Sequence, residues 1–363
     1  MRLLNPGPVT LTARVRAALQ REDLCHREVE FAALQRDVRA RVARVYPEVA
    51  AQGYEAVLLT GSGTAAVEAM VGSCVPRDGH ALVVSNGVYG DRIAQMLQAQ
   101  GKRATIVASE WTAGMDLAGA DAALSRDASI THVIAVHHET TTGRLNDIAA
   151  LGAICVKHQR PMLLDGVSSF GGEDIRFAEW NLEAVAATAN KCLHGVPGIS
   201  FVVLRPEVFT ARASGATSVY LDLWRHWKEQ PGGWSPFTQS VHVLYALQEA
   251  LAELDDEGGW SARHGRYVHR STRVRHALRE LGVEVFLREG EGVYSSILTS
   301  FHQPSKVPYA ALHDGLKDRG FIIYAGQGPY LGKMFRIAVM GALDEGDLAE
   351  LVAALRALIS PSA

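Results

Sequence analysis

Two residues of this chain stand where their surroundings could put them to chemical use. Lys191 lies in Ala184–Arg205, AVAATANKCLHGVPGISFVVLR, between an apolar run ending in Thr188-Ala189-Asn190 and the loop His194–Gly198, after which a second apolar run, Ile199–Leu204, begins. Two short apolar runs bounded by turn residues read as neighbouring buried strands, and open α/β sheets bind their ligands at strand ends. A partly desolvated lysine amine loses its proton more easily and can form a Schiff base with a carbonyl. Taken alone, the stretch favours a solvated lysine in a surface turn, since most lysines are exposed. The second residue is Asp165, which closes the apolar run Met162–Leu164 within PMLLDGVSSFGG. A carboxylate there can cap the next turn or pair with the protonated ring nitrogen of an electron-accepting cofactor. An apolar run ending in Asp, followed by one leading to Asn-Lys, is far more specific than either residue alone.

Four further stretches could complete such a site. Ala56–Gly72, AVLLTGSGTAAVEAMVG, reads as strand, Gly-Ser-Gly-Thr turn, helix. The first turn of a helix offers free N–H groups and a positive dipole end to a phosphate, with Ser62, Gly63 and Thr64 at the point of contact. The stretch lacks the Gly-Lys-Ser/Thr of a P-loop. It matches a loose dinucleotide fingerprint, but no acid follows at the end of the next strand, Ala81–Val84, to hold a ribose. Tyr89, in SNGVYGDR, could stack on a flat ring or simply pack. The threonines of HHETTTG, Thr141 among them, place hydroxyls at another strand end, or reflect β-propensity before a turn glycine. Late in the chain, Arg336 sits inside the apolar strand FRIAV. A charge there requires a partner, either a protein carboxylate or the acid group of a substrate held in bidentate fashion.

These residues need a scaffold, and the hydrophobic pattern supplies one. Apolar runs near 57, 82, 105, 133, 162, 184 and 199 make seven strands, mostly separated by helices, which predicts one doubly wound, mostly parallel sheet. Thr12–Arg21 reads as a short helix. Cys25–Tyr46 reads as a long one, with Phe31, Leu34, Val38, Val42 and Val45 on its apolar face and Pro47 as its stop. After a Trp-rich crossing, Ser218–Phe237, helices Ser240–Leu254 and Trp260–Leu281 lead to a smaller α+β piece. Its expected strands are Val283–Leu287, Ser295–Phe301, Phe321–Tyr324 and Phe335–Val339, and its helices Tyr309–Asp318 and Glu345–Leu358. The expected division is an N-terminal arm (1–14), a large domain (15–259) and a small C-terminal domain (260–363).

Composition narrows the function classes. The 363 residues carry 36 basic and 39 acidic side chains, a net charge of −3, so there is no basic footprint for nucleic acid. Cys25, Cys74, Cys155 and Cys192 have no metal-finger or CxxC spacing, so no metal site is expected, and their use suits a reducing compartment. The opening MRLLNPGPVT has no apolar signal core, and no run approaches the ~18 residues of a membrane helix. The expectation is a soluble, cytoplasmic protein.

With these residues in view, the chain resembles the class V aminotransferases, pyridoxal-phosphate enzymes of fold type I. The likeness spans essentially the whole length and rests on NPGP, GSGTAAVEA, SNGVYG, HHETTTG, DGVSSFGG, ANKCLHGVPG and FRIAVMG. Within the class, DGVSSFGG and ANKCLHGVPG are similar to the branch that acts on phosphonates. The resemblance implies pyridoxal 5′-phosphate as cofactor, with Lys191 as the Schiff-base lysine, Asp165 as the pyridinium partner and Tyr89 stacked on the ring. It implies that Ser62, Gly63 and Thr64 hold the phosphate and that Thr141 lies near the ring hydroxyl. Thr238 would reach the phosphate from a neighbouring subunit, hence a homodimer with shared sites. Arg336 would clasp the acid group of a small amino donor or keto acid. The implied reaction moves the amino group of 2-aminoethylphosphonate to pyruvate, giving phosphonoacetaldehyde and alanine. The alternative within the class is another small donor, serine or alanine, with glyoxylate or pyruvate. Two departures bear on the donor: CHREVEF looks more like phosphoserine aminotransferase, which makes His26 and Arg27 candidate substrate contacts, and the loop Ala325–Lys333, AGQGPYLGK, is unusual before FRIAVMG. A desulfurase would need a nucleophilic cysteine on a late loop, and no cysteine follows Cys192.

Overall fold

The computed structural model describes residues 1–360. All seven expected strands form, and they form one sheet: β1 (Glu55–Thr60), β2 (His80–Ser85), β3 (Arg103–Ala108), β4 (Ile130–Val136), β5 (Met162–Asp165), β6 (Leu182–Thr188) and β7 (Ile199–Leu204), in spatial order β1-β7-β6-β5-β4-β2-β3. Every pairing is parallel except the two made by β7, which runs against both β1 and β6.

Alternation along each strand explains why the sheet is covered on both faces. Leu58, Leu82, Val84, Val133, Leu164, Val185, Phe201 and Val203 point to one side. Their neighbours Val57, Leu59, Ala81, Val83, Ile134, Leu163, Ala184, Ala186, Val202 and Leu204 point to the other, as the two-residue period of a strand requires. The first side is covered by helices α1 (Val29–Ala43) and α4 (Val241–Asp256), through Phe31, Leu34, Val38, Val42, Leu244, Leu247, Leu251 and Leu254. The second is covered by α2 (Gly63–Cys74) and α3 (Val88–Ala99), through Val67, Met70, Val71, Ile93 and Leu97.

The long helix α5 (Gly259–Glu280) leads to a second core built on strands β8 (Leu298–His302), β9 (Tyr324–Ala325) and β10 (Met334–Ala338), in order β8-β10-β9, with helices α6 (Tyr309–Asp318) and α7 (Glu345–Ile359). Leu4 and Val9 belong to this same core, and Arg2–Leu3 pairs in parallel with Phe321–Ile322. The first residues are thus built into the C-terminal core.

Several sequence expectations need correction. The helix expected over Cys25–Tyr46 begins only at Val29, because residues 25–28 carry no buried apolar group to dock and Glu28 is extended. Pro47 does not end a helix but opens the next one, Pro47–Ala51, at the position where a missing N–H costs nothing. Val283–Leu287 forms only one bridge, Val285 to Phe301. The expected strand Phe321–Tyr324 divides at Ile323, one half serving the N-terminal pair and the other pairing with β10. No helix among the described residues is long and apolar enough to cross a membrane.

Candidate active site

Five of the parallel strands deliver side chains or turns to the same edge of the sheet, the edge at their C-terminal ends, where open α/β folds bind ligands. β1 leads into Gly61–Thr64, β2 into Asn86–Tyr89, β4 into His137–Thr141, β5 ends in Asp165, and β6 leads to Asn190 and Lys191. The segments after β1, β2 and β6, together with Arg336 from β10, line a cavity of about 600 Å³, with Ser62, Gly63, Thr64, Tyr89, Lys191 and Arg336 among its residues. Asp165 faces a small adjoining recess that shares Thr64, Tyr89, Arg92 and Val167 with the cavity. Pro6 and Gly7 of the opening NPGP close the cavity beside Lys191.

Lys191 sits in the turn after β6, and its loop is pinned from outside the large sheet. The carbonyl of Cys192 accepts from Arg263 Nη1 at 2.8 Å, and Tyr267 OH donates to His194 Nε2 at 2.6 Å. The Gly341 N–H also reaches His194 Nε2, at 2.9 Å. Inside the cavity, Lys191 Nζ lies 5.8 Å from the centre of the Tyr89 ring and donates to Ser168 Oγ at 2.7 Å. Among the described residues it faces no carboxylate partner.

Asp165 is buried at 6% exposure, with one oxygen accepting the Val167 N–H at 2.9 Å. Its other oxygen makes no hydrogen bond among the described residues. Burial pushes its carboxyl above the ordinary value, opposed by the Val167 amide and by the charges of Lys191 and Arg92. A buried carboxylate with a free oxygen suits a cationic ring nitrogen. Ser62 caps α2, its Oγ accepting from Ala65 N at 3.4 Å, while the N–H groups of Gly63 and Thr64 make no hydrogen bond among the described residues. They form an open cradle for a phosphate. A Cβ at Gly63 would stand 2.8 Å from Val167 Cγ1, which ties the cradle to the strand end carrying Asp165. The residues present therefore fit a flat, cationic, phosphorylated ring that reacts with an amine.

Arg336 is 3% exposed. It donates from Nε and Nη2 to Ala325 O, at 3.1 and 2.8 Å, and from Nη1 to Thr140 O at 2.8 Å. Nη2 also reaches Gln327 Oε1 at 3.3 Å. None of these partners is a carboxylate, so of the two readings open in the sequence, a protein counter-ion is absent among the described residues. The unusual loop after Ala325 has a use here: it supplies Gln327, which lines the cavity as well.

Sequence reasoning missed three groups. Arg92, one helical turn after Tyr89, stacks its guanidinium 5.0 Å over that ring and lines the cavity without an ion pair among the described residues. The i, i+3 spacing on a helix was the available signal. Ser168 is the second. Glu139 is the third: it is fully buried, and its carboxylate accepts the Thr141 N–H at 3.0 Å, the Thr141 hydroxyl at 2.6 Å and the Tyr89 N–H at 3.2 Å. Burial raises its pKa, and those three donors oppose the rise. Glu139 thus joins the loops after β2 and β4. A Cβ on Gly87 would stand 2.2 Å from Glu139 Cδ. Gly87→Ala should therefore cost about 1–3 kcal/mol, the range for overpacking a filled interior, read as a lower denaturation midpoint, and should weaken cofactor retention because Tyr89 moves with Glu139.

Four sequence candidates lie outside the cavity. The hydroxyl of Thr141 is spent on Glu139. Arg27 is exposed and His26 half-buried. Thr238 is exposed and its Oγ1 lies 3.4 Å from His26 Nε2. Its neighbours nevertheless anchor to the rim: Thr60 Oγ1 donates to Gln239 Oε1 at 2.9 Å and accepts from Ser240 N at 3.0 Å. A second cavity of about 620 Å³, beside Trp180 and Val293, holds neither Lys191 nor Asp165 nor Arg336. Among its lining residues His264 pairs with Glu173 at 3.2 Å, and Arg144 pairs with Glu289 at 2.6 Å.

Comparison with known proteins agrees with this geometry. The profile described as "Aminotransferase class-V" matches residues 12–329. The 2-aminoethylphosphonate–pyruvate transaminase of Syntrophobacter fumaroxidans is 38% identical over 358 residues, covering 98% of this chain and 95% of that protein. The enzyme of the same name from Vibrio vulnificus is 37% identical over 360 residues, covering 97% and 96%. Among solved structures, an aspartate aminotransferase of subgroup IV from Thermus thermophilus superposes with a TM-score of 0.89 at 25% identity, covering 99% of each chain. Pyridoxamine–pyruvate aminotransferase from Mesorhizobium loti superposes at 0.86 and 25%, covering 99% of this chain and 91% of that one. A strand-end lysine, a buried aspartate and an open helix terminus, set in a chain so matched from end to end, make this protein a member of the class V aminotransferase family, with the fold of a pyridoxal-phosphate-dependent transaminase.

Proposed function

We propose that the protein transfers the amino group of 2-aminoethylphosphonate to pyruvate, giving phosphonoacetaldehyde and alanine. The observation that carries the substrate class is Arg336: a buried guanidinium, facing the same cavity as Lys191, without a carboxylate of its own. A phosphonate or a carboxylate is its natural complement, and Arg92 adds a second positive charge suited to a phosphonate. The relatives named for this reaction support the choice of donor and acceptor.

Pyridoxal phosphate, when bound, supplies a carbonyl carbon that bonds the substrate nitrogen and a ring that takes up the electron pair freed when a C–H bond breaks. The chain's own residues do the rest. The N–H groups of Gly63 and Thr64, with the Ser62 and Thr64 hydroxyls, hold the phosphate, and Tyr89 covers one face of the ring. Asp165 keeps a proton on the ring nitrogen. Lys191 Nζ would serve as the base that takes the proton from the substrate carbon bearing nitrogen, and then as the acid that gives it back. Arg336 holds the acid group of donor and acceptor in turn, so both half-reactions use one site and ping-pong kinetics follow. We read the working form as a homodimer in which Thr238 serves the cofactor phosphate of the partner subunit. Its exposure, together with that of Tyr220, whose ring packs on the neighbouring Phe237, supports that reading. All four cysteines are free, which supports a reducing, cytoplasmic setting.

The test is Arg336→Ala, with kcat/KM measured separately for 2-aminoethylphosphonate and for pyruvate. Both should fall by on the order of 2–5 kcal/mol, the range for cutting one half of a buried charge pair. Arg336→Lys should recover only part, since an ammonium lacks the two-pronged fork. If both values stayed within a factor of about three of wild type, under ~1 kcal/mol, Arg336 would be a structural residue, and the acid group would fall to Arg92, the other arginine of the cavity.

A further inference from the structure

Ser168 stands beside Lys191 and belongs to none of the roles above. It is 6% exposed, and its hydroxyl lies 2.7 Å from Lys191 Nζ. The surrounding bonds fix it in place. Its carbonyl oxygen accepts from His138 Nδ1 at 3.0 Å and from Cys192 Sγ at 3.5 Å. Burial holds the His138 imidazole down at about 4, so the ring is neutral at neutral pH. A carbonyl can only accept, which places the single ring proton on Nδ1 and leaves Nε2 as a lone pair. The hydroxyl of Ser295 lies 2.9 Å from that nitrogen and donates to it, while Ser295 Oγ accepts from the amides of Ile297 and Leu298 at 3.3 and 3.2 Å. Those residues lead into β8, which pairs directly with the strand that carries Arg336, Ser300 opposite Arg336. Each bond in this buried chain has one permitted direction, so the Ser168 backbone is held from the small-domain side of the site.

The Ser168 side chain carries no such constraint. Its hydroxyl accepts from Lys191 and has no other hydrogen-bond partner among the described residues. A hydroxyl can accept from an ammonium and donate to a neutral amine. A carboxylate in the same place would favour the charged form alone. A lysine that must both take and give a proton is served by the first kind of neighbour and hindered by the second.

We propose that Ser168 is the positioning residue for Lys191: its hydroxyl receives the amine whenever the amine is not bonded to the cofactor, and holds it at reacting distance in either protonation state. This rests on Lys191 being the cofactor-bonding lysine. The hydroxyl acts through the lysine and takes part in no bond that is made or broken between cofactor and substrate. Its loss affects how fast Lys191 finds its target, not how tightly substrate is held.

The experiment compares Ser168→Ala, Ser168→Cys and Ser168→Thr with wild type in two measurements. One is the rate at which apoprotein, given pyridoxal phosphate, develops the visible band of lysine-bound cofactor. The other is the division of effects between kcat and KM for 2-aminoethylphosphonate and pyruvate. Ser168→Ala should slow capture and lower kcat by about 10-fold each, the scale of one charge-assisted hydrogen bond, with both KM values within about twofold. Ser168→Cys keeps the size of the side chain but is a poor hydrogen-bonding partner. It should show the same loss, and it decides the matter if the alanine variant does not fold. Ser168→Thr, which keeps the hydroxyl, should restore both rates to within about threefold. Capture and kcat within about twofold of wild type in the alanine or cysteine variant would overturn the proposal. Lys191→Ala separates the two readings. If it still forms the band, the lysine assignment fails and this proposal with it. If the band is lost there while the Ser168 variants behave as wild type, only this proposal fails.

Discussion

Lys191→Ala should lower turnover by about 10⁴-fold or more, because one change removes both the nucleophile that holds the cofactor and the group that moves the proton. General acid–base catalysis alone contributes ~10²–10⁴. The variant should still bind pyridoxal phosphate, since the open N–H groups at the start of α2, the Tyr89 ring and Asp165 are untouched. The expected result is bound cofactor by equilibrium dialysis, no lysine-bound absorbance, and turnover at the background level. Transamination at a wild-type rate would remove Lys191 from the account.

Asp165→Ala should slow the proton-abstraction step by about 10²–10³-fold, the scale on which single preorganised electrostatic contacts act. In the folded protein this carboxylate is buried, has one oxygen free and is held only by the Val167 amide. A ring nitrogen bound opposite that free oxygen keeps its proton because a negative charge faces it at low dielectric. Without the charge, the ring accepts electrons poorly. Asp165→Asn keeps the size and the amide contact but not the charge, so it should be nearly as slow as the alanine variant. The check is the deuterium isotope effect on a single turnover with donor labelled at the carbon next to nitrogen, in protein saturated with cofactor. Both variants should show a slower, more fully expressed effect. Normal rates in cofactor-saturated Asp165→Ala would count against the role.

The parts of this site that were legible in the sequence are those whose signal is local. Each of the seven strands is a short apolar run between turn residues; six are buried along their length, where a strand covered on both faces has no other way to be written, and the seventh, β3 at the sheet edge, is largely exposed. Lys191, Asp165 and the Gly-Ser-Gly-Thr turn were legible because each sits where such a run stops. Glu139 was not. It lies among residues that read as a hydroxyl row, and its purpose is set by the Tyr89 amide, 50 positions earlier in the chain. Ser168 was hidden in the same way, since its bond to Lys191 spans 23 positions. Of the small domain's four expected strands, Val283–Leu287 is reduced to a single bridge and the other three form at shifted bounds. Phe321–Tyr324 is one apolar run, yet the backbone shares it between two sheets at Ile323, and only the partner strands, Arg2–Leu3 and Met334–Ala338, dictate that division. His26, Arg27 and Thr238 carry chemistry-bearing groups but stand away from the cavity, which spacing along the chain could not reveal.

The central claim is that this site takes an amine from 2-aminoethylphosphonate and gives it to pyruvate. It is tested most directly in a single turnover of cofactor-loaded protein, mixed in separate runs with 2-aminoethylphosphonate, alanine, serine and phosphoserine. The account predicts that 2-aminoethylphosphonate discharges the lysine-bound absorbance fastest, with one phosphonoacetaldehyde formed per site, and that pyruvate then restores the band with one alanine released. No change with 2-aminoethylphosphonate, while serine or phosphoserine discharges the band, would contradict it.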